Sequence, residues 1–244
     1  QWFFPDWKEG GHGSVNVLDA LAWSVNTYFY TIGGGYQGFP GLGLSRLQKY
    51  LQRFHMGEKT DIDIPGEGTG FFPTPQRVAE RSTHWYIGDT YNLSIGQGDL
   101  GVTPLQIAMM MSVFANGGTL YRPRLVQRIV DTQGNSTTMP PVVRATALGT
   151  PEYINVVRKG LRAAVERGSA QKLKAIPGSV AGKTGTAQWR KDKPSHAWFT
   201  GFYPYVNPSL VIVILVEEGG EGSGIATQVA KDFFEWYSTL HSPN

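Results

Sequence analysis

The sequence predicts an α+β protein, and three observations carry that expectation. Apolar residues recur at helical spacing through several stretches between residues 14 and 168. Three apolar runs of strand character, over 179–184, 197–203 and 210–217, crowd into the last third with turn residues between them. An amphipathic stretch from about residue 225 to residue 240 closes the chain. With 244 residues, 41% of them hydrophobic and 12% aromatic, there is enough apolar surface for a substantial core. Residues from about 14 to 150 read as a mainly helical region, and 151–244 as a helix, a set of strands and a terminal helix.

In chain order, Asn16 precedes Leu18, Leu21, Ala22, Val25, Tyr28 and Phe29 and is the expected N-cap of one helix ending near the glycines at 33–35. Ser24 and Asn26 lie inside it, two positions apart, and share no helical face unless the helix is irregular there. Leu44, Leu47, Tyr50, Leu51 and Phe54 mark a second amphipathic helix closed by Met56-Gly57. From Thr60 to Arg81 proline and glycine dominate, which predicts a long loop with a short strand over 61–64. Thr103 as N-cap and Pro104 at the first helical position start a helix that is apolar nearly all round and ends at Asn116-Gly117-Gly118. A strand over 125–131 and a turn at 134–136 come next. Thr150 and Pro151 then open a helix that runs to Gly168, and the three strands and the terminal helix follow.

Charge and composition exclude several classes. Lys plus Arg number 22 against 19 for Asp plus Glu, and they are scattered, so no basic nucleic-acid-binding face is indicated. The absence of cysteine excludes disulfides and thiolate metal sites and leaves the compartment open. The five histidines show no metal-ligand spacing. No stretch is long and apolar enough to cross a bilayer, and no signal-peptide pattern opens the chain. The opening residues, Gln1 to Trp7, are rich in aromatics where a free terminus is normally polar, which suggests that the chain starts inside a larger structure.

The chemistry concentrates in Val180–Gln188. Lys183 offers a compact cation, Thr184 and Thr186 offer hydroxyls, and Gly185 leaves room for a ligand to approach a strand closely, so the stretch is suited to hold a carboxylate. The plain alternative is a strand end with a solvated lysine. A phosphate loop is a poor fit to Gly182-Lys183-Thr184, because Pro177 stands where that pattern requires its first glycine. Ser169-Ala170-Gln171-Lys172 spells S-x-x-K, the nucleophile pattern of enzymes that carry K-T-G, but it follows a helix-ending glycine and lies just before Lys183. That motif order has the nucleophile first, so Ser169 is not taken as one.

Several motifs fall in one order: Ser24-Val25-Asn26, Gly88-Asp89-Thr90, Ser94-Ile95-Gly96-Gln97-Gly98, Thr103-Pro104-Leu105-Gln106, Lys183-Thr184-Gly185-Thr186-Ala187-Gln188 and Ala197-Trp198-Phe199-Thr200-Gly201-Phe202. From about residue 5 to the end, the chain resembles the transpeptidase domain of class B penicillin-binding proteins, most closely the elongation-type penicillin-binding protein 2. The resemblance implies an antiparallel sheet with flanking helices plus an all-helical subdomain, here incomplete at the N-terminus. It also implies an enzyme that acylates a serine with a peptidoglycan stem peptide ending in D-Ala-D-Ala and passes the acyl group to an amine, without metal or organic cofactor. On this likeness Ser24 is a proton-relay serine and Asn26 its substrate-amide partner. Lys183 bonds Ser24, the Thr184 and Thr186 hydroxyls hold the terminal carboxylate, and the Thr186 N–H is one oxyanion donor. The implied partners are stem peptides, β-lactam antibiotics and a membrane glycosyltransferase of the elongation machinery, at the extracytoplasmic face of the cell membrane.

The family's S-x-x-K serine and lysine lie several tens of residues before S-x-N, and only 23 residues precede Ser24. The expectation is therefore a transpeptidase part whose nucleophile lies outside this chain, inactive alone, with an unpaired sheet edge. Two other readings stay open. One is a truncated module that binds peptidoglycan or a partner without chemistry. The other is a carboxypeptidase or β-lactamase-type hydrolase, for which Glu80 is the nearest candidate glutamate, with His84 where asparagine is usual.

Overall fold

The computed structural model describes residues 3–80 and 84–241; the sequence expectations that touch Gln1, Trp2 and Arg81 lie outside them. The single helix expected from Asn16 is two, α1 (Val17–Trp23) and α2 (Asn26–Gly34). Asn16 does cap α1, its Oδ1 accepting from the N–H groups of Leu18 and Asp19 at 2.9 and 3.1 Å. The break falls at Ser24, which adopts the left-handed conformation (φ 57, ψ 49), while Val25 is extended. The Val25 N–H turns back to the Ala20 carbonyl at 3.0 Å, satisfying an acceptor that the helix end leaves open. Periodicity hid the break because Ala20, Ala22 and Val25 are all buried, so apolar spacing runs through it.

The second helix forms as expected, as α3 (Gly43–Gln52). The strand expected over 61–64 does not form. The Glu67 carboxylate takes the N–H groups of Thr60 and Asp61 at 2.6 and 3.0 Å, and Asp61 sits at φ 57. The Asp63 carboxylate in turn accepts from Leu125 and Val126 at 2.7 and 2.9 Å. This removes two donors from the strand expected over 125–131 and leaves only β2 (Arg128–Val130). Two helices were not anticipated, α4 (Pro75–Glu80) and α5 (Ile87–Ser94), the latter opened by Asp89 accepting from the Tyr86 N–H at 2.8 Å. α6 (Pro104–Asn116) matches expectation in detail, with a reciprocal Thr103–Gln106 cap and Gly117 left-handed at φ 88.

Two short antiparallel ribbons follow. β1 (Leu120–Tyr121) pairs with β4 (Val143–Ala145), and β2 pairs with β3 (Ser136–Thr138). α7 (Pro151–Arg167) starts at Thr150, whose hydroxyl accepts from the Tyr153 N–H. α7 lies directly on α1. A Cβ on Gly160 would stand 2.4 Å from Leu21, and one on Gly168 only 1.9 Å from the Ala22 carbonyl.

β5 (Ala181–Ala187), β6 (His196–Tyr203) and β7 (Leu210–Val216) form an antiparallel sheet in that order, with Gly185 opposite Trp198 and Trp198 opposite Leu215. Side-chain alternation gives the sheet two packed faces. Ala197, Phe199 and Tyr203 meet Ala226, Ala230 and Phe234 of the terminal helix α8 (Thr227–Leu240) and of the π-helical turn Gly222–Ala226 before it. Phe202 meets Met111 and Ala115 of α6 and Leu161 of α7. The result is an α+β arrangement of helices, sheet and helix. Among the described residues β5 and β7 each have one strand neighbour, so both edges of this sheet lack a strand partner.

Phe234 is fully buried and its ring lies 5.7 Å from that of Tyr203. Phe234→Ala should lower stability by about 3–5 kcal/mol, the usual cost of a cavity this size, read as a shifted midpoint in urea unfolding.

Candidate active site

Lys183 stands on β5 between the buried Gly182 and Thr184 and points back to the break between α1 and α2. Its Nζ donates to Ser24 Oγ at 2.7 Å and to the Thr184 carbonyl at 2.9 Å. The left-handed turn at Ser24 makes this meeting possible, because it swings the hydroxyl off the helical path. A tie holds the two sides in place: the Ser169 N–H donates to the Ala22 carbonyl at 3.0 Å, and Ser169 Oγ shares a hydrogen bond with Thr184 Oγ1 at 2.6 Å. Lys183 is half-buried, and desolvation of its ammonium lowers its pKa from 10.5 to about 8. It is therefore a cation near its titration point beside a serine hydroxyl, able to exchange a proton with it near neutral pH.

The break is held from the outside by the aromatic opening segment. α2 has no cap of its own at Val25; the Asp6 carboxylate supplies one, accepting from the N–H and hydroxyl of Thr27 at 3.2 and 3.1 Å. The adjacent Trp7 indole N–H donates to the carbonyls of Trp23 and Ser24 at 3.0 and 3.1 Å, at the end of α1. Asp6 and Trp7 thus bracket Ser24 from both helix ends. His12 stands 3.2 Å from Asp6, and both side chains are almost fully covered. Asn26 begins α2 half-buried, and its side chain makes no hydrogen bond among the described residues.

On β5 the residues alternate between faces. Lys183 and Gly185 share one, Thr184 and Thr186 the other. Thr184 is buried, its hydroxyl engaged with Ser169, whereas Thr186 is exposed and its hydroxyl accepts from the Gly222 N–H at 3.2 Å. The turn at Gly222 crosses β5 at Gly185 so closely that a Cβ on Gly222 would lie 2.2 Å from the Gly185 carbonyl. The edge of β5 away from β6 is open to other groups. It presents the Thr184 carbonyl to Lys183 and the Thr186 carbonyl to Gln97 Nε2 at 2.8 Å, and Gln188 N–H donates to Gln97 Oε1 at 3.2 Å. In an antiparallel strand a residue's N–H and C=O face the same side, so the Thr186 N–H also faces this edge.

The structure therefore brings Ser24, Lys183 and the Thr184–Thr186 strand together, with Asn26 at the same helix break. The S-x-x-K pattern at 169–172 is divided between two structural jobs, since Lys172 donates to the Gly224 carbonyl at 3.1 Å and Ser169 braces Thr184. Glu80 lies exposed at the end of α4. Sequence reasoning missed Asp6, Trp7 and Gln97. Only Gln97 carried a signal, its position between Gly96 and Gly98, both at positive φ (76 and 74), which turn its side chain toward β5. Among the described residues no group of three or more His, Asp or Glu side chains is placed to hold a metal ion.

A left-handed serine joined to a lysine on an antiparallel strand, on this α+β frame, defines a class. The chain belongs to the penicillin-binding protein transpeptidase-domain family, whose profile matches residues 1–235. Within it, the similarity lies with the PBP2/MrdA type of class B penicillin-binding proteins. Peptidoglycan D,D-transpeptidase MrdA of Acinetobacter baumannii is 30% identical over 99% of this chain and 37% of its own length. The structure of penicillin-binding protein PBP2 from Helicobacter pylori superimposes with a TM-score of 0.80 at 32% identity, covering 98% of this chain and 43% of that one. The same H. pylori protein in complex with MreC gives 0.78 at 31% identity, over 96% and 42%. A chain of a peptidoglycan synthase complex that couples polymerization and crosslinking gives 0.77 at 33% identity, over 98% and 40%. The chain thus spans well under half of each of these relatives.

Two measurements check the site. NMR titration of the lysine side chains should show Lys183 with a midpoint near 8. Because that value lies below the unfolded value of 10.5, the cost of burying the cation is fully felt below about pH 8 and is relieved as pH rises toward 10.5. Stability should gain a component that rises through that window and vanishes in Lys183→Met. Trp7→Phe keeps an aromatic ring but removes the N–H, and should cost about 1 kcal/mol in urea unfolding while shifting the Ser24 backbone resonances.

Proposed function

We propose that this chain is the C-terminal part of a peptidoglycan D,D-transpeptidase domain that acts on stem peptides ending in D-Ala-D-Ala by an acyl-serine mechanism, the acylated serine being supplied by a segment outside these 244 residues. The observation that carries the reading is the 2.7 Å contact between Lys183 Nζ and Ser24 Oγ, made across 159 positions of sequence by a lysine held near its titration point. In this reading Lys183 and Ser24 pass a proton to and from the leaving amine, which needs a donor and acceptor with a pKa close to ambient pH. Asn26, whose side chain has no hydrogen-bond partner among the described residues, is placed to take a substrate amide. Of the two threonines only Thr186 has an exposed position suited to the terminal carboxylate, since Thr184 is committed to Ser169. The Thr186 N–H on the open strand edge is one oxyanion donor, and a donor of this kind typically contributes about a hundred- to a thousand-fold in rate.

That similar chains occur in a peptidoglycan synthase complex coordinating polymerization and crosslinking, and in a complex with ampicillin, supports a membrane glycosyltransferase of the elongation machinery as partner and β-lactam antibiotics as acylating ligands, at the extracytoplasmic face. Among the described residues no helix is long and apolar enough to cross a membrane.

A chain extended upstream through an S-x-x-K segment should be labelled covalently by fluorescent penicillin, and Lys183→Ala should slow the labelling at least about a hundredfold, the usual contribution of a proton-transfer group. The 244-residue chain should stay unlabelled. Labelling of that chain would return the nucleophile to a serine within it, with Ser169 the first to replace.

A further inference from the structure

The open edge of β5 is already occupied, and by a side chain. Gln97 offers a primary amide, the same donor and acceptor pair as a peptide bond. It donates to the Thr186 carbonyl at 2.8 Å and accepts from the Gln188 N–H at 3.2 Å. A neighbouring extended strand satisfies an edge with the same two groups. Gln97 is half-buried and comes from the short Gly96-Gln97-Gly98 turn after α5, so it crosses from the helical region to the sheet. The two flanking glycines, both at positive φ, make this turn the part of the wall best able to change shape without moving a helix.

We propose that Gln97 is a specificity-determining residue that closes the peptide-pairing edge of β5 in the unliganded protein and gives up that edge to the backbone amide of a bound peptide. The inference rests on the proposed transpeptidase reading and sharpens it. The ligand class is an extended peptide, or a compact amide that imitates one, entering beside Thr186. A ligand without an N–H to replace the Gln97 donor leaves the exposed Thr186 carbonyl to water and forgoes the exchanged bond, so it gains less from this edge than an amide does. Gln97 therefore selects for ligands that carry an amide at that position. It does not touch the Lys183–Ser24 pair, so the exchange changes affinity and leaves the proton-transfer groups in place.

The test uses the 244-residue chain, its Gln97→Ala and Gln97→Asn variants, and diacetyl-L-Lys-D-Ala-D-Ala as probe. Binding is followed by NMR on the backbone amides of Thr186 and Gln188 and on the Gln97 side-chain amide. In the native chain, added peptide should move the Gln97 side-chain resonances toward their solvent-exposed positions while the Gln188 amide stays protected from hydrogen exchange. Both variants should bind the peptide roughly three- to tenfold more tightly, the return expected from removing a competitor that makes one or two hydrogen bonds. Lys183 should keep the same titration midpoint in all three proteins. Equal or weaker binding by both variants, or a Gln97 amide that does not move on peptide binding, overturns the inference and leaves the transpeptidase reading standing. No binding by any of the three proteins overturns both.

Discussion

A half-buried lysine beside a serine hydroxyl is the interaction on which the rest of this structure depends. An ammonium in a protein interior is costly unless its donors are used, and Lys183 uses two of its three on Ser24 and on the Thr184 carbonyl. The remaining cost appears as a pKa lowered to about 8. That compromise requires the hydroxyl to be in one place, and the backbone supplies it through a left-handed residue that a regular helix would not contain. A serine in this conformation is strained by of order 1 kcal/mol, so other contacts must hold it there. They come from Asp6, Trp7 and Ser169, each fixed to a different element.

The packing behind the site explains why those contacts are rigid. α1 meets α7 at Gly160, against the Leu21 side chain, and at Gly168, against the Ala22 carbonyl, with no room for a side chain at either glycine. Ser169 follows at once and spans from α1 to β5. The distance between Ser24 and Lys183 is thus set by a helix contact that cannot loosen gradually, and the sheet is fixed in turn by Phe199, Phe202 and Tyr203 packed on both faces.

Much of this was legible in the sequence, and the exceptions have identifiable causes. α6 and α7 announce themselves through Thr-Pro starts and glycine ends, signals that act within one turn of the backbone. The sheet announces itself through apolar runs and lies within two or three residues of where they suggest. The break at Ser24 was invisible because the buried positions on either side keep helical spacing. The short strands at 61–64 and 125–127 were over-read because carboxylates of Glu67 and Asp63, not neighbouring strands, take the backbone donors. At the site, Lys183 and Ser24 could be paired from motif order. Asp6 and Trp7 could not, since capping across 21 residues leaves no local pattern, and for Gln97 the flanking glycines marked a turn but not its partner strand 89 positions away.

Gln106 shows how the long irregular segment before α4 is kept in place. Its buried amide donates to the carbonyls of Glu58 and Thr69 and accepts from the Thr103 N–H, so one side chain pins both ends of the intervening segment to the start of α6. The segment is therefore a closed ring in mechanical terms: Gln106 fixes its ends to the helix, and the span between them is held by Glu67 on Thr60 and Asp61 and by Asp63 on Leu125 and Val126. Loss of the single amide at 106 removes this clasp from both ends at once, leaving the paired Phe71 and Gly101 to hold the far end.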